Sequence, residues 1–179
     1  MSSESTKTPT WIAYALIAAG LAARLLPHPP NVSPLTAIAL FAGACLAPQW
    51  GVVVPLAAVV FSDLVLGFYD VMPFTWSAFA LIGLLGWWLR AHPSTPRIAW
   101  ASVLGSTLLF AITNFGVWLY GEGGTIYPKT LHGLWTCYVA ALPFFRNTLA
   151  GDLVYTGAIF SLYAVATRKS LARASASTR

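Results

Sequence analysis

Ile98–Tyr120, IAWASVLGSTLLFAITNFGVWLY, decides the fold class. The run carries no charged side chain. At about 1.5 Å of rise per residue it reaches about 34 Å as a helix, enough to cross a hydrocarbon core of about 30 Å with some tilt. The rest of the chain has the same character: of 179 residues, 58% are hydrophobic and 8% charged, and the mean hydropathy is +0.71. A soluble domain uses roughly 25% charged residues to cover its surface, so this composition excludes a soluble globular protein. At roughly 20 residues per span, the chain has room for six or so helices and little else. No Gly-rich loop ending in Gly-Lys-Ser/Thr occurs, which excludes a P-loop nucleotide site.

Proline and glycine punctuate the chain into six apolar segments. Residues Met1–Thr10 are polar and expected to be disordered, because they have no apolar face to bury. Trp11–Leu26 forms the first span and ends at Pro27. With Glu4 ahead of it and membrane-embedded sequence behind it, it reads as a retained helix rather than a cleaved signal. The prolines of PHPPNVSP fix φ and remove donors, so Pro27–Pro34 is a stiff loop. Leu35–Ala47, Val52–Phe68, Phe74–Arg90, Ile98–Tyr120 and Thr148–Thr167 follow as spans two to six. The connection Gly121–Asn147 contains LHGLWTCYVAALPFF, too short and interrupted to span, which is expected as a re-entrant or interfacial helix. The expected fold is therefore all-α: a polytopic membrane protein whose single domain is 11–167, followed by a basic tail at 168–179.

Ten Lys and Arg against five Asp and Glu give a net charge of +5. No basic patch is interleaved with aromatics, so nucleic acid is not an expected partner, and the charge bears on topology. With both termini cytoplasmic, Lys7, Arg90, Arg97, Arg168, Lys169, Arg173 and Arg179 lie inside, and Arg24, Lys129 and Arg146 outside. Seven against three obeys the positive-inside rule. Cys45 and Cys137 then lie on opposite sides of a bilayer, so no disulfide joins them.

Ionisable groups inside spans are expensive and are functional candidates by default. Asp63 in FSDLVLGF, Asp152 in AGDLVYTG and Asn114 in ITNFGVWL all fall roughly 6 to 10 Å below the outer helix ends at the same rise. Arg24 and Arg146 flank this layer, so one reading makes buried structural pairs of these charges. The other places them around an outward cavity. Thr107, Phe110, Asn114 and Trp118 share one face of the fifth span, and Thr148, Asp152 and Tyr155 one face of the sixth. The outer loops add His28, Asn31, Tyr69, Asp70, Tyr127, His132, Trp135, Cys137 and Tyr138. A lidded small-molecule pocket fits this set. No CxxC or HExxH spacing supports zinc, and no nucleophile-base arrangement can be read, so neither a metal nor catalytic residues are assigned. Ala15, Ala19 and Ala23, doubled by Ala18 and Ala22, form a stripe that permits close helix approach, either internally or against a partner. Ala39, Gly43 and Ala47 repeat the pattern on the second span.

RLLPHPPNVSPLTAIALFAG, SDLVLGF, ITNFGVWL and YPKTLHGLWTCYVAALPFFRNTLAGDL together resemble an uncharacterised family of small six-helix bacterial membrane proteins. More distantly, the architecture is similar to the substrate-binding S components of energy-coupling factor transporters. That resemblance implies a bacterial inner-membrane subunit for uptake of a vitamin-like micronutrient. Its ligand would be held by Asn31, Asp63, Asn114, Trp118, Tyr127, His132, Trp135, Cys137, Tyr138, Arg146 and Asp152. It also implies a membrane coupling subunit, with separate ATPases, docked on Ala15, Ala19 and Ala23. No resident cofactor is expected; one branch of the S components binds cobalamin through a cysteine, which makes cobalamin a possible ligand, with Cys137 the only outward cysteine. The alternatives are a membrane-embedded enzyme using Asp63, Asp152 or His132 on a lipid or quinone, or a structural assembly protein.

The topology has a direct test. In a background lacking Cys45 and Cys137, Ser170→Cys should resist membrane-impermeant thiol reagents in intact cells and react once the cells are opened. Ready labelling of intact cells would reverse the orientation.

Overall fold

Six helices and no strand make up the described residues of the computed structural model, which are 10–27, 31–47, 49–91 and 93–177, with side chains from 11 to 168. Most of the amino-terminal tail, His28 and the side chains of Lys169, Arg173 and Arg179 therefore lie outside the described residues. The helices are α1 (Thr10–Leu25), α2 (Leu35–Cys45), α3 (Trp50–Leu66), α4 (Met72–Arg90), α5 (Thr95–Gly124) and α6 (Leu131–Ser177). Prolines set several starts. Pro73 and Pro96 occupy the first turns of α4 and α5, where a missing N–H costs nothing. Regular geometry in α5 ends at Gly121, and Glu122 and Gly123 take positive φ.

The short α2 is the centre of the molecule. Leu35 through Gly43 are all buried. Its two sides feed two apolar clusters, one around Leu35, Leu40, Phe79 and Ile82 and one around Ile38, Phe41, Ala13 and Val54. Such enclosure requires close backbones. A Cβ at Gly83 of α4 would overlap the Gly51 carbonyl of α3, and one at Gly43 of α2 would overlap the Gly83 carbonyl. Pro55 explains why the Gly51 carbonyl is available: having no N–H, it leaves the carbonyl four residues earlier without its helical partner. Ala39 and Gly43 are thus buried inside the bundle, so the small-residue stripe of α2 packs internally.

Arg90 closes the other end of α2. Its guanidinium donates to the Gly43 carbonyl, at 2.8 Å from Nη2 and 3.3 Å from Nε, and also to the Leu46 carbonyl. These are terminal carbonyls that the helix itself cannot satisfy.

The expectation for the last third of the chain needs correcting. LHGLWTCYVAALPFF and the segment after Thr148 are one continuous helix, not a separate interfacial helix and a sixth span. Pro143 is accommodated inside α6, and the segment before it packs along α5: Tyr138 Oη donates to the Ala111 carbonyl at 2.7 Å, and Cys137 Sγ to that of Asn114 at 3.4 Å. The basic tail is likewise helical to Ser177. Cys45 and Cys137 are not joined in a disulfide.

Helices α4, α5 and Leu131–Arg168 of α6 are each long and apolar enough to cross a membrane; α1, α2 and α3 are apolar but shorter. Large apolar side chains stand exposed around the bundle, among them Phe61, Val65, Trp87, Trp88, Trp100 and Leu162. An aqueous protein does not leave so much apolar surface uncovered.

Gly83→Ala should cost about 1 to 3 kcal/mol, the usual range for overpacking. Gly157→Ala, where an added methyl meets nothing within 4 Å, should be neutral or stabilise by up to about 1 kcal/mol through helix propensity. Thermal unfolding of both variants in the same detergent checks the contrast; equal melting temperatures would remove the close-packing argument.

Candidate functional site

At the end of the bundle where α1, α3 and α5 finish and α4 and α6 begin, polar groups concentrate. Asp63, 1% exposed, sits in the last turn of α3. Arg24 from the last turn of α1 places Nη2 2.7 Å from its Oδ1, and Trp76 of α4 donates Nε1–H to its Oδ2 at 2.7 Å. Oδ2 thus accepts a hydrogen bond while Oδ1 is met by the ion pair without one, and three helix ends are locked together. Asp70 in the next loop accepts from the Gly123 backbone N–H at 3.0 Å, which ties the turn after α3 to the turn after α5.

Asp152 is in a different environment. It is 2% exposed on α6 and, among the described residues, has no cation within ion-pair distance. Ser106 Oγ lies 2.6 Å from its Oδ2 and 3.0 Å from the Ser102 carbonyl, while Thr156 Oγ1 donates to Ser102 Oγ at 3.1 Å. Thr36 of α2 adds a further side-chain hydrogen bond to the same carboxyl group. A cluster of hydroxyls therefore stands in for a counter-charge and joins α2, α5 and α6. The expected pairing of these charges is met by Arg24 with Asp63 and not by Arg146 with Asp152; Arg146 is exposed.

Beside the Arg24–Asp63 pair opens a cavity of about 540 Å³. Arg24, Asn31, Ser33 and Thr75 line it from the α1–α2 and α4 side, and Thr113, Asn114 and Thr148 from α5 and α6. Phe79, Phe110, Phe144 and Phe145 supply aromatic wall. The Phe110 and Phe145 centroids are 4.6 Å apart, and Phe110 meets Tyr138 at 5.5 Å from another side. Asn31 takes φ of 59°, a left-handed conformation that asparagine tolerates better than most side chains.

Of the expected ligand residues, Asn31 and Asn114 line this cavity, and Asp63 stands behind it through Arg24. The others are placed elsewhere. Trp118 donates to the Pro128 carbonyl at 2.9 Å and carries Lys129 over its ring at 5.6 Å, so it fastens the α5–α6 turn. Cys137 and Tyr138 are spent on α5 carbonyls. Tyr127 is half-buried, while His132 and Trp135 are exposed; none of the three lines the cavity. Ser33, Thr75, Phe79, Phe144 and Phe145 line it without having been expected. Phe144 and Phe145 were legible only as part of LPFF, and Thr75 and Phe79 carried no signal apart from helical spacing. Among the described residues, no three His, Cys, Asp or Glu side chains gather as metal ligands would.

These features define an all-helical protein of membrane type with a lined cavity at a bundle end. Residues 4–175 match DUF6580, a family of unknown function, and the chain belongs to that family. No curated protein matches the chain, and no solved structure does.

The two buried carboxylates should respond differently to neutralisation. Asp63→Asn strands Arg24 and should cost about 3 kcal/mol, the scale for breaking a buried pair. Asp152→Asn keeps a carbonyl acceptor for Ser106 and should cost no more than about 1 kcal/mol. Unfolding midpoints in one detergent give the order, and the reverse order would show that Asp152 bears the structural charge.

Proposed function

We propose that the protein captures a small, vitamin-like molecule at the outer face of a bacterial cytoplasmic membrane and passes it to a partner subunit. The cavity carries this reading. Its volume of about 540 Å³ falls within the usual range for small-molecule sites, and a few polar groups set in aromatic wall are how such sites hold their ligands. On this reading all six helices cross the bilayer with both termini cytoplasmic, and α2 crosses with help from its extended flanks. Leu131–Phe145 is then the outer part of α6, lying beside α5, and because about 57 Å of helix over Leu131–Arg168 exceeds a hydrocarbon core of about 30 Å, α6 also extends past it.

The partner surface is proposed on α1. Ala13 and Gly20 take its buried side, while Ala15 and Ala19 are exposed and Ala23 is half-buried. A stripe so placed is open to close approach by a coupling subunit served by separate ATPases. This is the arrangement that the likeness to S components implies. Cobalamin draws less support, because the Cys137 thiol is engaged on the Asn114 carbonyl. A lipid- or quinone-modifying enzyme is supported less as well: Asp63 is held by Arg24 and Trp76, Asp152 by hydroxyls, and His132 is exposed.

Native mass spectrometry of the purified protein should show a retained small molecule. Asn114→Leu should weaken its binding by about 1 to 3 kcal/mol, as when a buried polar group loses its partner. Ala19→Leu should leave folding and binding intact while abolishing uptake. A ligand-free protein whose melting temperature no small molecule raises would overturn the reading; turnover of a lipid substrate would replace it.

A further inference from the structure

We infer that the cavity selects a net-neutral, planar molecule with N–H donors along one edge and a carbonyl acceptor at one end, an inference that rests on reading the cavity as a binding site. A threonine hydroxyl has one proton and two lone pairs. In the cavity wall those protons are already committed. Thr113 donates to the Leu109 carbonyl at 2.7 Å, Thr148 to that of Phe144 at 3.2 Å, and Asn114 commits one amide N–H to Phe110 at 2.8 Å. What the α5 and α6 wall has left to offer is mainly oxygen: two threonine Oγ1 atoms and Asn114 Oδ1. A ligand without donors on that edge would leave these acceptors unmet once water is displaced.

Arg24 is the complementary feature. Asp63 holds its Nη2, and a guanidinium has five N–H groups in a fixed fork, so donors remain for an acceptor in the cavity. The Asp63 carboxylate also cancels the arginine charge at 2.7 Å. Among the described lining residues Arg24 is the one charged side chain. A charged ligand would therefore bring its charge into a partly apolar space with no counter-charge left, which is costly. The phenylalanine wall, with Phe79 buried and Phe110 set against Phe145, favours a flat ring over a branched chain.

Four probes on one benzene ring separate these requirements. 4-Aminobenzamide is neutral with donors and a carbonyl, and its fully N-methylated analogue lacks the donors. 4-Aminobenzoate adds a negative charge, and 4-aminobenzamidine replaces the carbonyl with a cation. With the full-length protein in nanodiscs, equilibrium dialysis at millimolar probe should show 4-aminobenzamide bound about ten-fold more tightly than the other three, the ratio one unmet hydrogen bond produces. Asn114→Leu should erase the preference over the methylated analogue. Equal or tighter binding of the methylated, anionic or cationic probe overturns the inference and leaves the cavity a binding site. Should no probe bind, the molecule retained on purification decides. A neutral planar N–H donor supports the inference; a charged or donor-free one overturns it while the site stands. The absence of any retained molecule removes the site and the inference together.

Discussion

Burying a helix as short as α2 is the constraint on which the remaining structure depends. Eleven residues rise only about 16 Å, so the helix ends among other protein groups with its last carbonyls unsatisfied. Two devices make this tolerable. Arg90 reaches from the end of α4 to the Gly43 and Leu46 carbonyls, and glycines at 43, 51, 83 and 86 bring α2, α3 and α4 to backbone contact. Arg90 thus has a local duty in addition to its weight in the charge asymmetry. With α2 fixed, its buried Thr36 is available to the Asp152 cluster, and Leu35 at its start joins the cavity wall.

Two buried carboxylates show two ways of holding such a group away from water. Asp63 is held by a cation and an indole N–H, Asp152 by hydroxyls alone. The first fastens helix ends around the cavity. The second fastens α5 and α6 to α2 about two turns further into the bundle, since Ser106 precedes Asn114 by eight residues on α5. Spacing along the helices puts both in one outer layer only if the last span starts at Thr148; α6 begins at Leu131, so Asp152 lies deeper, beside Ser106, and spacing also does not show which cation reaches which acid. Pairing depends on helix rotation and neighbour order, and hydropathy carries neither.

Helix identity was legible where apolar runs met prolines: α1 to α5 fall close to the segments read from the chain. The last third is not, because Pro143 and the glycines before it carry the signal of breaks. A proline inside a helix forfeits one hydrogen bond without always ending it, and here Tyr138 and Cys137 fasten the segment before Pro143 to α5. The candidate site divides in the same way. Asn31 and Asn114 stood out as polar residues in apolar surroundings, whereas aromatic loop residues such as Trp118 and Trp135 looked like ligand contacts by composition alone. Trp118 instead secures a turn, and phenylalanines with no distinguishing pattern form the wall.

The continuity of α6 also has a mechanical side. Its cavity-lining residues, Ala141 to Thr148, are followed by helix to Ser177, a rod of about 44 Å at the usual rise. α6 is fastened to α5 and α2 at the Asp152 cluster, so a tilt of about 5° about that point displaces the far end, about 38 Å away at the usual rise, by about 3 Å. Whatever widens or narrows the gap between Phe110 and Phe145 is therefore magnified at the opposite pole of the molecule, where the chain carries its basic carboxyl-terminal segment.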